Sequence, residues 1–237
     1  MVRPPQAPVY FFVIDVSYNA VSSGMLQIVV DTIKESLDHL EREETGGRTK
    51  IGFLTFDSAL HFYNLKKDLS SAQMLVVTDV SEVFVPLHEG LLVDLADSRE
   101  VVESLLDGLP EMFAATQNTV SALGPALQGA YMVASHMGGK MVVFQSCMPN
   151  LGVGKLRNRD NPRAMGTDKE KKLLQPDELF YKRLGVECSR QQARDATPHL
   201  PPSHARVLPV FLVLARALPQ VRGALTRSVS LALGGSA

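Results

Sequence analysis

Asp15, Ser17 and Asn19 put three oxygen-bearing side chains at alternate positions directly after the apolar run Val9-Tyr10-Phe11-Phe12-Val13-Ile14. A carboxylate beside neutral oxygen donors is a start toward a site for a hard divalent cation, which wants several oxygens with charge among them. The same groups can instead tie loops together, since buried polar side chains are normally hydrogen-bonded.

Other chemistry is hard to find. Gly152-Val153-Gly154-Lys155 resembles part of a phosphate loop. Pro149, however, stands where that loop needs its first glycine, and Leu156 where it needs a metal-binding Ser or Thr. No GxSxG elbow occurs. The six histidines (39, 61, 88, 136, 199 and 204) show no HExxH spacing. Cys147 follows an apolar strand but has no base paired with it in sequence. With Cys188 it forms no CxxC, so both read as free thiols in a reducing compartment. No enzymatic activity is expected.

Residues 155–172 carry Lys155, Arg157, Arg159, Arg163, Lys169, Lys171 and Lys172 against Asp160, Asp168 and Glu170. Such a run is commonly a solvated loop. The sharper expectation is contact with acidic lipid headgroups or an acidic partner segment, centred on Lys155, Arg157, Arg159 and Arg163. No aromatic residue lies in this stretch, which argues against single-stranded nucleic acid.

The polar trio needs an element to carry it. Residues 9–17 do not alternate polar with apolar, as a half-solvated strand would. They read as the central strand of a parallel sheet covered on both faces, with the trio at the carboxyl edge, where open α/β folds keep their crevice. Residues 22–40 then show one apolar helical face (Leu26, Val29, Ile33, Leu37, Leu40) stopped by Gly46-Gly47, and residues 50–56 a second apolar strand. That order argues for a right-handed βαβ unit.

Residues 59–65 and 73–78 read as a hairpin extending the sheet edge. Lys66 and Lys67 near its turn are expected to discourage edge-to-edge pairing. Residues 79–97 read as irregular. A helix is expected from Ser98, as N-cap, to Phe113, and another over residues 121–136, ended by Gly138-Gly139. A third core strand spans residues 140–145, and a helix follows over residues 176–188. The fold class is α/β, a mostly parallel sheet flanked by helices.

Over 237 residues the formal net charge is −1, which exerts no global pull toward nucleic acid or membranes. The last 45 residues differ. Residues 193–237 hold five arginines, five prolines and one acid, Asp195. The break suggests a domain over residues 1–192 and a divergent, poorly ordered tail over 193–237. Residues 207–214 offer a replacement strand, but Pro209 removes a ladder donor and argues for a sheet edge or for disorder. The start of the chain shows no signal-peptide pattern. The apolar run 207–215 is far short of the roughly 20 residues that a membrane span needs.

Asp15-x-Ser17-x-Asn19 resembles the metal-ion-dependent adhesion motif of von Willebrand A domains, Asp-x-Ser-x-Ser. In that motif a Thr precedes a later helix and an Asp follows a later strand. These positions fall on Ser121 and Ser146. One carboxylate of the two survives, so a tight Mg²⁺ site is not expected.

A larger resemblance covers nearly all of residues 1–192. It rests on Pro8 to Ala20, on Thr49 to Asp57 with Leu60-His61-Phe62-Tyr63, and on Gln73 to Val80. Leu109-Pro110-Glu111-Met112-Phe113, Ser121 to Gln128, and Gln191-Gln192 after Cys188-Ser189 add to it. Together they are similar to the trunk domain of the cargo-selecting COPII coat subunit (the Sec-twenty-four family), a von Willebrand A-like fold with a degenerate metal site.

That resemblance implies a non-enzymatic adaptor in ER-to-Golgi transport. It would pair with the paralogous inner-coat subunit, bind sorting signals on cargo tails, and sit in the cytoplasm at endoplasmic-reticulum exit sites. It names no cargo residue. The family's four-cysteine zinc module has no counterpart here, so neither zinc nor another cofactor is expected. The trunk reads as C-terminally incomplete, and a marginally stable chain follows. The alternative is a metal-dependent von Willebrand A-type ligand-binding or adhesion module.

Overall fold

In a computed structural model the described residues are 7–40, 48–159, 166–167, 178–195 and 210–214. Strand β1 (Val9–Asp15) is buried at every position. Phe12 and Ile14 enter one apolar cluster, Phe11 and Val13 the other. This explains the missing alternation: both faces of the strand are covered. β1 pairs in parallel with β2 (Lys50–Phe56) and with β6 (Lys140–Gln145).

β2 continues antiparallel into β3 (Leu60–Asn64), and β3 into β4 (Gln73–Val77). A two-residue strand β5 (Val93–Asp94) pairs antiparallel with the start of β2. β7 (Val210–Leu214) lies parallel to β6, so the order is β4-β3-β2-β1-β6-β7 with β5 beside β2. Residues 210–214 of the replacement strand expected over 207–214 thus form β7 beside β6, at an edge of the sheet among the described residues, and residues 207–209 lie outside them.

Two helical layers enclose the sheet. On one face lie α1 (Tyr18–Ser22), α2 (Met25–Leu40) and α3 (Leu95–Met112). On the other lie α4 (Leu123–Ala134) and α5 (Phe180–Asp195), the latter through Leu184 and Cys188. Val29, Ile33 and Leu37 of α2 are fully buried. Each contributes roughly 1.5–3 kcal/mol of transfer free energy.

Several expected boundaries move. The helix expected over 22–40 is two helices, because Gly24 takes φ +75° between α1 and α2. Ser98, buried, has non-helical backbone (φ −114°, ψ 17°) and marks a kink where a short helical turn from Leu95 joins the longer helix, so the expected boundary survives as a break inside α3. The helix begins three residues earlier because Leu95 is buried and its amide donates to Thr49 O at 2.8 Å. The cap position is Asp94, whose carboxylate faces Lys50 Nζ at 3.3 Å rather than the helix amides.

The stretch expected to be irregular contains β5, and its Val83 and Leu91 are buried in the second cluster. The helix expected over 121–136 spans Leu123–Ala134, and Gly138 and Gly139, both at positive φ, turn the chain into β6. The expected helix start at Pro176 and the stop at Gly46-Gly47 lie outside the described residues. α5 runs to Asp195, past Gln192.

Candidate functional site

β1 delivers Asp15 to the carboxyl edge of the sheet, fully buried. The chain turns back at once, and Ser17 N donates to Asp15 Oδ1 at 2.9 Å. β6 ends alongside. Ser146 donates twice to Asp15 Oδ2, from its amide at 2.9 Å and from Oγ at 2.6 Å. Cys147 Sγ lies 3.8 Å from the same oxygen as a weaker donor. Ser17 Oγ sits 3.4 Å from Ser146 Oγ and 3.9 Å from Cys147 Sγ. Charge-assisted bonds of this kind are roughly twice as strong as neutral ones. Asp15 therefore works as a staple between the ends of β1 and β6, its oxygens engaged by the chain's own donors.

Asn19 does not join this cluster. It is exposed on α1, because the helix begins at Tyr18 and carries the third motif position outward. Ser121 stands in the loop before α4, fully buried. Its amide donates to Asn150 Oδ1 at 2.9 Å, and its carbonyl accepts from the amides of Asn150 and Leu151. Its Oγ is a buried hydroxyl without a partner among the described residues. Among those residues no group of three or more His, Cys, Asp or Glu side chains could hold a metal ion.

The loops of this edge are laced together. Asn118 O accepts from Tyr18 N at 2.7 Å, Asn118 Nδ2 donates to Ser58 Oγ, and Asp57 O accepts from Ala122 N at 2.8 Å. The loop after β6 rests on α4 so closely that a Cβ on Gly124 would run into Val153 O. Tyr181 of α5 donates to Gly154 O at 2.6 Å, and burial pushes its hydroxyl up to about 12. Beyond that clamp Lys155, Arg157 and Arg159 are all exposed, with Met148, Val153 and Leu156 as exposed apolar neighbours. Arg163 lies outside the described residues.

One polar cluster escaped the sequence pattern. His61 Nδ1 lies 3.2 Å from Thr55 Oγ1, and Thr55 Oγ1 lies 2.9 Å from Tyr63 OH, all three buried. Asp57 Oδ1 stands 4.0 Å from His61 Nε2, and Phe113 packs on the imidazole at 5.3 Å between ring centres. Desolvation holds His61 below the usual histidine range, against the opposing pull of Asp57. Only the cross-strand register aligns these residues, Thr55 opposite His61. The alternating Thr55, Asp57 and the His61, Tyr63 pair were the available signal.

Comparison with known proteins gives a consistent answer. The Sec23/Sec24 trunk domain family matches residues 5–194. The protein transport protein SEC24 A of Arabidopsis thaliana is 51% identical over 193 residues, 81% of this chain and 18% of that protein. Mouse protein transport protein Sec24A is also 51% identical over 193 residues, 81% of this chain and 17% of its own length. The chain thus spans about a fifth of the curated relatives it matches.

The crystal structure of the human COPII-coat protein Sec24c superposes with a TM-score of 0.74 at 40% identity. The likeness covers 79% of this chain and 26% of that one. Relatives named as transport proteins overturn the alternative of a metal-dependent adhesion module. The von Willebrand A-like α/β sheet, parallel across β2-β1-β6-β7 and antiparallel at β3, β4 and β5, and the resemblance read from the strand motifs agree with these matches, and the chain belongs to the Sec23/Sec24 trunk domain family.

Proposed function

We propose that this chain acts as a trunk component of a COPII vesicle-coat adaptor in ER-to-Golgi transport, without catalysing a reaction. It pairs with the paralogous inner-coat subunit and contributes to the selection of cargo by its sorting signals. It works as a peripheral protein on the cytoplasmic side of endoplasmic-reticulum exit sites and COPII vesicles. Among the described residues no helix is long and apolar enough to cross a membrane. It needs neither zinc nor another cofactor.

The observation that carries this reading is the closed rim. Where an A-type domain would present a cation to a ligand, Ser17 and Ser146 already occupy the Asp15 carboxylate. The fold is left with surfaces to offer, as an adaptor requires. A tagged 237-residue chain is expected to retain the paralogous inner-coat subunit in a pull-down. Failure to retain it, with the chain shown to be folded by circular dichroism, would remove the pairing role.

A further inference from the structure

Buried side chains of the β2–β3 hairpin form a hydrogen-bond chain with two links. Tyr63 OH lies 2.9 Å from Thr55 Oγ1, and Thr55 Oγ1 lies 3.2 Å from His61 Nδ1. Tyr63 and Thr55 are fully buried, and His61 is 7% exposed. Each hydroxyl brings one proton, and a ring nitrogen brings either a proton or a lone pair. One direction uses every group: Tyr63 donates to Thr55, and Thr55 donates to a bare Nδ1. The reverse direction strands the Tyr63 proton, which has no acceptor but Thr55 among the described residues. The proton of neutral His61 then sits on Nε2, the nitrogen 4.0 Å from Asp57 Oδ1.

The segment after α3 is fastened at the same place. The Phe113 ring packs on the imidazole at 5.3 Å between centres. Asn118 Nδ2 donates to Ser58 Oγ, next to Asp57 in the chain, and Asn118 O accepts from Tyr18 N. Ala122 N closes the segment on Asp57 O at 2.8 Å. Residues 114, 115, 117 and 119 are exposed, so these fastenings hold a stretch that buries little of itself.

We propose that His61 is a proton-operated latch on residues 113–122: a proton added to Nδ1 breaks the one-way chain and loosens the segment from the hairpin. Tyr63, Thr55 and Nδ1 then carry three protons for two links in a buried site. The ring relieves the excess by turning out of the chain, which dislodges Phe113 from its face. The groups facing the imidazole are Thr55 and Asp57 from the β2 side, Tyr63 through Thr55 from β3, Val76 across from it on β4, and Phe113 from the end of α3. Burial is the largest influence and opposes the proton, while Asp57 and the Thr55 backbone favour it. The inference does not depend on the coat reading.

Hydrogen exchange of the full chain at about pH 7.5 and about pH 5.5, corrected for the intrinsic rate, tests it. The amides of Tyr18 and Ala122 are expected to lose several-fold more protection at the lower pH than the amides of α2. His61→Gln, which takes up no proton, is expected to remove that difference. Nitrogen-15 spectra of histidine-labelled protein are expected to show His61 as the Nε2–H tautomer. Thr55→Val is expected to raise the His61 titration midpoint, because the neutral ring loses its donor. Equal loss of protection at Tyr18, Ala122 and α2 overturns the proposal, as does a loss in His61→Gln that matches wild type. An Nδ1–H tautomer, or a midpoint that Thr55→Val does not raise, overturns it as well. If neither variant folds, the exchange and the tautomer of the wild type decide.

Discussion

Ser146 Oγ donates to Asp15 Oδ2 at 2.6 Å, joining the carboxyl ends of two parallel neighbours, β6 and β1, across 131 residues of sequence. The parallel pairing places both ends on one edge, and the reversal at Ser17 turns a third donor inward. A serine at this position has a defined consequence. A carboxylate here would crowd Asp15 with like charge unless a cation stood between them. A hydroxyl and its own amide supply hydrogen to the carboxylate instead, and the edge closes on itself.

Removing the acceptor is therefore expected to cost more than removing a donor. Asp15→Ala strands the buried amide of Ser17 and the half-buried amide and hydroxyl of Ser146, with an expected loss of roughly 3 kcal/mol. Ser146→Ala removes one donor and leaves the two amides on Asp15, with an expected loss of about 1 kcal/mol. Urea unfolding of the three proteins checks the order. Equal losses would mean that the carboxylate is not the hub. Calorimetric titration of the wild type with Mg²⁺ and Mn²⁺ should give only heats of dilution, and micromolar binding abolished by Asp15→Ala would reverse the reading of the edge.

His61 gives the fold a pH dependence of definite sign. Burial between Phe113 and the β2–β3 hairpin lowers its folded pKa beneath the ordinary 6.5, with Asp57 partly opposing. The groups facing it are Thr55, Tyr63 through Thr55, Asp57 and the Phe113 ring. Where the folded pKa is depressed, the unfolded chain takes up the proton first as pH falls. The contribution of neutral His61 is thus present above 6.5 and declines as pH drops below it, levelling once both states are protonated. Urea midpoints at pH 7.5 and 5.5 should differ more for wild type than for His61→Gln. A slope unchanged by that substitution would relieve His61 of the role.

The sequence made the central layer legible because burial on two faces leaves an unmistakable trace, an apolar run without alternation. β1, β2 and β6 were readable for that reason, as were Asp15 and Ser17 at the end of β1. Ser146 was readable only through a family motif, since nothing local marks a serine as the partner of a carboxylate 131 residues away. Asn19 stands apart from the Asp15 and Ser17 bonds because the chain has already become helix at Tyr18. β5 is two residues long, too short to leave a period, and the helical turn that follows it, from Leu95 to the kink at Ser98, was hidden with it. The Thr55, His61 and Tyr63 cluster depends on hairpin register, which the two apolar runs left open.

β7 makes the far edge testable. Its backbone pairs with β6 from Met141↔Val210 to Gln145↔Leu214. β6 contributes Met141, Val142, Val143 and Phe144 to the core, all buried. A chain ended after Asp195 would leave β6 as an unprotected edge. Its thermal midpoint is expected to fall by at least roughly 5 °C relative to the 237-residue chain, with greater loss to aggregation. Coincident midpoints would show that β7 contributes little to a sheet already self-sufficient without it.

The exposed stretch after Gly154 is the remaining surface with a readable chemistry. Lys155, Arg157 and Arg159 are interleaved with exposed Leu156 and preceded by exposed Val153, on a loop pinned by Tyr181 at Gly154 O. Cations with apolar neighbours suit an anionic lipid surface, where each basic residue adds about 1 kcal/mol of attraction that salt screens. Flotation with phosphatidylserine-containing liposomes should recover the full chain at low salt and lose it at high salt. Replacing Lys155, Arg157 and Arg159 together by Ala should reduce recovery several-fold without altering the unfolding midpoint. Recovery unchanged by the triple substitution would mean that whatever membrane attraction the chain has arises elsewhere on its surface.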